Sequence, residues 1–148
     1  QVLATPIVIL DSPRVAREIQ NLNVLGIFYD VTFNNIGDST FVGDTTGATA
    51  ARDAINAALN MTTADLVRVL NTGVSVNNFG VQDGLSTTVR GVSFFVPGNW
   101  QPSGGSALLA PVAQFVEVPA PVPLPATLAL LGVGLAGIGY QLHRRSTS

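Results

Sequence analysis

From Val118 to Leu142 the chain carries no charged side chain, and it then closes on His143, Arg144 and Arg145. No other feature restricts this chain so strongly. Seventeen residues, Ala126–Leu142 (ATLALLGVGLAGIGYQL), rise ~26 Å as a helix at ~1.5 Å per residue, a little short of a ~30 Å hydrocarbon core. Leu124 and the snorkelling side chains of His143 and Arg144 extend the reach. Pro125 suits a first helical turn, where its missing N–H costs nothing. Tyr140 stands where an interfacial aromatic belongs, and Arg144–Arg145 mark a cytoplasmic side. The expectation is a single transmembrane helix over 126–142 with a basic tail, 143–148, inside and the rest of the chain outside. A buried core helix closing a soluble domain is the competing reading.

Composition supports an apolar setting. Of 148 residues, 47% are hydrophobic and 11% charged, against roughly 25% charged in ordinary soluble domains. Cysteine is absent, which excludes disulfides, thiolate metal sites and a thiol nucleophile. All seven basic residues are arginine, so Schiff-base and Ser–Lys chemistry are excluded too. With a single histidine, His143, the inventory points away from an enzyme. Five arginines face all nine acids within residues 1–142, leaving no basic stripe for nucleic acid. No metal and no cofactor are expected. The first residue, Gln1, suggests a removed secretory leader, and an exported chain without cysteine fits a bacterial periplasm or cell surface.

Within 126–142, the small residues Ala129, Gly132, Ala136 and Gly139 recur at spacings of three, four and three. They form one stripe along which a neighbouring helix can approach closely; abundance of Gly and Ala in anchor helices is the plainer account. Before the helix, prolines at 119, 121, 123 and 125 alternate with apolar residues, which reads as an extended polyproline-like stalk over 118–125.

The ending Val122-Pro123-Leu124-Pro125-Ala126-Thr127, followed by the Gly-rich apolar run and Arg144-Arg145, resembles a PEP-CTERM sorting signal. Such signals combine a Val-Pro-Glu-Pro-Ala-Thr-like motif, a membrane helix and a basic tail, and are processed by a membrane protease called exosortase. Leu22–Phe33 and Gly43–Asn60 also look like the extracellular part of one group of such proteins. The resemblance implies a Gram-negative exported protein, often found alongside exopolysaccharide and biofilm machinery. In this chain Leu124 replaces the glutamate of the signature, so an enzyme reading that carboxylate loses its handle and the helix is expected to stay attached.

Residues 1–117 read as a small α+β domain of antiparallel strands and one or two helices. Ile27, Tyr29, Val31 and Phe33 alternate with Phe28, Asp30 and Thr32, a strand signature, and Ile19–Leu25 is its expected hairpin partner, turning near Gly26. Asp44-Thr45-Thr46-Gly47 supplies a helix cap. Ala48, Ala51, Ile55, Ala58 and Leu59 then share one helical face, with Arg52, Asp53, Asn56 and Asn60 opposite. A second short helix from Thr62 to Leu70, or a strand at Val67–Val69, follows. Val74–Val81 and Thr87–Val96 read as strands around an Asp83-Gly84 turn, 97–105 as loop, and 107–116 as a last extended segment broken by Pro111.

Each chemical constellation is thin. Asp38 and Asp44 lack EF-hand spacing and read as turn residues. Asp30 and Asp53 would need a shared cleft to hydrolyse a glycoside. Asn60-Met61-Thr62 matches a glycosylation sequon. Phe94, Phe95 and Trp100, with Phe28, are candidates for a docking patch. Three readings follow. The leading one is a non-catalytic accessory subunit of a larger inner-membrane complex, photosynthetic or respiratory for example, whose partners are other membrane subunits and the bilayer. The alternative is an exported surface or biofilm-matrix protein processed by exosortase. A polysaccharide hydrolase is third.

Overall fold

The computed structural model describes residues 4–104, 111–120 and 126–146; of residues 126–129 and 146 only the backbone is described. Two compact units emerge: Leu3–Ala120, the body, and a second made of Gln1–Val2 and Pro121–Ser148.

The body is built on a hairpin. β2 (Val15–Val24) and β3 (Ile27–Asn34) are joined by Leu25 and Gly26 alone, with Val24 opposite Ile27. Both loop residues have positive φ, 52° and 91°, the geometry whose twist matches the flanking strands. Along β3, Tyr29, Val31 and Phe33 are buried while Phe28, Asp30 and Thr32 are half-exposed, so the period-two pattern predicts the buried face. β2 is longer than expected and bulged between Ile19 and Leu22, where Asn21 takes φ 55° and its N–H donates to Asp30 Oδ1 at 3.0 Å.

Asp44 is the N-cap of α1 (Thr45–Asn60), its carboxylate accepting from the Gly47 N–H at 2.8 Å. Ala48, Ala51, Ile55, Ala58 and Leu59 are buried, as the helical periodicity predicts, and α1 packs on β2 and on the strands that follow. Beyond it run β4 (Leu66–Arg68), β5 (Ser75–Val76), β6 (Asn78–Gln82), β7 (Thr88–Ser93), β8 (Trp100–Ser103) and β9 (Val112–Val118). Together with β1 (Ile7–Ser12) they form a nine-stranded sheet in the order β5-β4-β2-β3-β9-β6-β7-β8, with β1 added on β2. The core lies between this sheet and α1, and carries two aromatic groups: Tyr29, Phe41 and Phe115 in one, Phe33, Phe79 and Trp100 in the other.

The fold is thus α+β, with a mixed sheet rather than the purely antiparallel one expected. β2 pairs β4 in parallel, and β6 meets β9 in parallel at Gly80 and Val112. No helix forms between Thr62 and Leu70. There Thr62 Oγ1 donates to Leu59 O and accepts from the Ala64 N–H, turning the chain so that the Asp65 and Leu66 N–H groups both reach Arg14 O. Buried Asp65 then holds Arg14 through both its oxygens, fixing β4 beside β2. The stretch 97–105, read as loop, contains β8; Pro102 is tolerated because β8 is an edge strand. The expected segment from 107 to 116 is β9 from Val112 onward, and 107–110 lie outside the described residues.

In the second unit, α2 (Ala126–Ser146) has 21 residues. No helix among the described residues is long and apolar enough to cross a membrane, which corrects the expected transmembrane helix. α2 carries four glycines (Gly132, Gly134, Gly137, Gly139) and has His143, Arg144 and Arg145 in its last turn.

Candidate functional site

The stretch that resembles a sorting signal begins a few residues after a central strand. β9 lies between β3 and β6, and its antiparallel register with β3 runs without a break from Phe28 opposite Val118 to Asn34 opposite Val112. Its other edge meets β6 at only one pair, and the loop after β3 covers part of the remainder. Asp38 Oδ2 accepts the Phe115 N–H at 3.1 Å, Asp38 Oδ1 accepts the Thr40 N–H at 2.9 Å, and Gln114 Nε2 donates to Ile36 O at 2.9 Å. Asp38, expected as a solvated turn residue, is therefore a fastening group, while Asp44 is the expected cap of α1. Among the described residues no three His, Cys, Asp or Glu side chains come together to hold a metal ion. An open hollow of about 310 Å³ beside Asp38, lined also by Gly37, Ser39, Val42, Gln82 and Leu85, contributes that one carboxylate and no histidine.

Register places the β2–β3 turn at the end of the body from which the chain leaves β9. Val118 sits opposite Phe28, three residues from Leu25. Leu25 is 72% exposed and Ile27 43%, and Val116, two residues before the end of β9, is 65% exposed. Leu25 combines an apolar side chain, high exposure and φ 52°, where glycine or asparagine is the usual occupant. The signal was legible as a leucine in a two-residue hairpin loop, although nothing in the chain marked its proximity to residue 118. Tyr29, buried one residue past that pair, has its pKa raised by burial foremost and then by the charges of Glu117 and Asp38.

Of the sorting-motif residues, Val122, Pro123, Leu124 and Pro125 lie outside the described residues, as does most of the expected 118–125 stalk. Ala126 and Thr127 open α2. Ala129 is in its second turn, and Gly132, Ala136 and Gly139 are exposed along it; a Cβ placed on either glycine meets nothing within 4 Å. Leu130, Leu131, Val133, Leu135, Ile138, Tyr140 and Leu142 are exposed as well, so α2 presents apolar side chains all round. His143, Arg144 and Arg145 occupy its last turn, where cations complement the helix dipole.

The aromatic candidates separate. Phe94 and Phe95 are 58% and 59% exposed, Phe95 at φ 61° with its N–H on Ser93 Oγ. Trp100 does not join them: it is buried against Phe79, and its Nε1 donates to Ala64 O at 2.8 Å. Asn60, the sequon residue, accepts the Trp100 N–H at 2.6 Å and donates to Trp100 O at 2.9 Å, so its amide is committed to holding β8 on α1. Asp30 is bonded to the Asn21 N–H and Asp53 to Arg52. Asn56, expected on the outer face of α1, is instead buried against Gly91 of β7, and among the described residues its amide has no hydrogen-bond partner.

Residues 121–145 match the sequence profile of the PEP-CTERM protein-sorting motif. Comparison with curated proteins and with solved structures gave no match. The matched profile overturns the leading expectation of an accessory subunit in an inner-membrane complex. It assigns the apolar C-terminal stretch to sorting during export, so its apolarity needs no neighbouring subunit to explain it, and the exported alternative is the reading it supports.

Proposed function

We propose that this chain is an exported, non-catalytic protein whose C-terminal segment directs its sorting to the cell surface through an exosortase-type processing step. The observation that carries this reading is the sorting-motif match at residues 121–145. Three features support it. The motif begins three residues after β9, the last strand of the body, so the signal is appended to a finished fold. The body is a compact unit over Leu3–Ala120, which suits a domain that remains after its signal is handled. Three of its carboxylates serve the fold at separate places, Asp38 on β9, Asp44 on α1 and Asp65 on Arg14.

Leu124 in place of the signature glutamate makes processing a measurable property of this chain. The test is mass-spectrometric mapping of the C-terminus of the protein taken from its native cells. The expected result is a surface-exposed population ending upstream of the α2 sequence, with the cut fraction increased in Leu124→Glu. Chains that all retain Arg144 and Arg145, in wild type and Leu124→Glu alike, overturn the reading.

A further inference from the structure

The nine strands are not joined equally. β1 to β5 and β9 are linked by ladders centred on β2 and β3, while β6, β7 and β8 form a panel of their own. Within the panel the strands pair continuously, Asn78 to Gln82 with Val92 to Thr88 and Arg90 to Ser93 with Ser103 to Trp100. Among the described residues, the panel meets the rest of the sheet at a single backbone pair, Gly80 opposite Val112, where the Gly80 N–H donates to Pro111 O at 2.8 Å.

Beside that pair β6 and β9 separate, and the loop 35–43, between β3 and α1, bridges the gap with side chains. On β9 the Asp38 carboxylate accepts the Phe115 N–H at 3.1 Å, and Ile36 O accepts from Gln114 Nε2 at 2.9 Å. On β6 the Asp38 N–H donates to Gln82 Oε1 at 2.8 Å, and the Gly43 N–H donates to Asp83 O at 2.9 Å. Asp38 therefore holds both sides, one by its carboxylate and the other by its backbone. The open hollow lined by Gly37, Asp38 and Gln82 lies at this seam, so apolar packing does not seal it.

Polar groups beneath and beside the panel are left without partners. Asn56, 5% exposed, sits against Gly91 of β7 with neither amide atom hydrogen-bonded among the described residues. The Thr88 hydroxyl, whose side chain lies over Gly80 at the seam, is likewise unpartnered. Lifting the panel hydrates both, and a buried polar group without a bond favours any state that hydrates it. Holding the panel down are Phe79, packed on Phe33 and Trp100, and the bonds of Trp100 to Asn60 and Ala64.

We propose that β6–β8 is a hinged panel, held shut by the loop 35–43 acting as a strap through Asp38, and that it opens as a unit while β1–β5 and β9 stay folded. Folded chains open in sub-global units of this kind, and they part where ladder bonds are few and polar networks are half satisfied. Opening frees the facing backbone edges of β6 and β9. It leaves β9 held by its unbroken register with β3, so the strand that leads toward residues 121–145 is not withdrawn.

Native-state hydrogen exchange on the full chain, resolved by residue with NMR, tests the proposal. The reporters are the N–H groups that bridge the seam: those of Asp38, Gly43, Gly80 and Trp100, and the Trp100 indole N–H on Ala64 O. They are expected to exchange through one common opening, faster than the β2–β3 ladder and with a weaker dependence on urea, because less surface is uncovered. Ile19→Val lies between Val8 and Val31, two strands from the panel across β3 and β9. It is expected to speed exchange in the β2–β3 ladder about fivefold, the effect of one lost buried methylene, and to leave the seam reporters at wild-type rates. Gln82→Ala removes the acceptor of the Asp38 N–H. It is expected to speed Gly43, Gly80 and Trp100 together about fivefold, the effect of one lost hydrogen bond, although none of them bonds to Gln82. Seam and ladder amides that share one rate and one urea dependence, and that Ile19→Val accelerates alike, show that the sheet opens only as a whole and overturn the panel. A Gln82→Ala chain in which Asp38 alone exchanges faster overturns the strap.

Discussion

Tyr29 shows how a single buried group ties stability to pH. Its ring packs between Phe41 and Phe115 at centroid separations of 5.9 and 5.6 Å, and burial, reinforced by Glu117 and Asp38, favours the neutral phenol. In the unfolded chain a tyrosine loses its proton near pH ~10. The folded state holds that proton to higher pH, so above pH ~10 the unfolded state binds fewer protons and gains relative to the native one. The contribution of Tyr29 is thus complete below pH ~10 and is lost as the pH climbs toward the raised folded value. Melting temperatures measured from pH 8 to 11.5, below the range where arginine titrates, should fall across the upper part of this interval in the wild type and fall less steeply in Tyr29→Phe. Parallel curves would show that Tyr29 does not carry the effect. Asn56 is the residue whose setting the sequence hid. A helical wheel puts it with Arg52 and Asn60 on the polar side. That side is closed by β7, which approaches because Gly91 has no side chain: a Cβ there would stand 2.5 Å from the Phe79 ring and 2.6 Å from Asn56 Oδ1. Long-range contact through a glycine leaves no periodic trace.

Among the elements, those announced by two independent local signals were legible. The β2–β3 hairpin joined alternation to a glycine turn, and α1 joined a capping residue to a five-residue apolar face. The cap is directly testable. Asp44 satisfies the Gly47 N–H, and its own C=O accepts from Ala48 at 2.9 Å, so Asp44→Ala removes the side-chain bond while leaving the first backbone bond in place. A loss of about 1 kcal/mol is expected in urea or thermal unfolding, with the unfolding slope unchanged; no loss would mean that water replaces the carboxylate fully. The elements that escaped had one signal or a conflicting one. β1 opens on an IVIL run directly after Pro6 and, among the described residues, pairs only with β2, so its edge position follows from the long, bulged β2 rather than from its own residues. β8 contains Pro102 and sits among glycines, the composition of a loop, yet the bonds from Asn60 to both backbone groups of Trp100 pin it to α1. In the same way Thr62 and Thr63 have the chemistry of helix caps but serve a turn, because the bond of buried Asp65 to the exposed Arg14 and the β2–β4 contact outweigh a short helix of weak propensity.

At the scale of the whole molecule, the decisive arrangement is that the last strand in sequence is an inner strand of the sheet. Parallel contact with β6 on one side and a seven-pair antiparallel register with β3 on the other mean that the two parts of the sheet are joined through β9. The body is therefore incomplete until residue 118 is in place and complete very soon after it. This makes the boundary between fold and signal sharp. A chain ending at Ala120 should fold and melt within about 2 °C of the full-length protein, a difference of roughly half a kcal/mol for a domain of this size. A chain ending at Pro111 lacks β9 and should show no cooperative transition, because Phe115 leaves the aromatic group of Tyr29 and Phe41 and the Asp38 carboxylate loses the Phe115 N–H. Circular dichroism melts of the two truncations decide the point. If the Ala120 chain melts far below the full protein, the C-terminal segment contributes to the body's stability, and its removal during sorting cannot leave the domain as it was. If it melts at the same temperature, the chain can lose everything beyond residue 120 with its fold intact, which is the physical condition that a cleavable sorting segment has to satisfy.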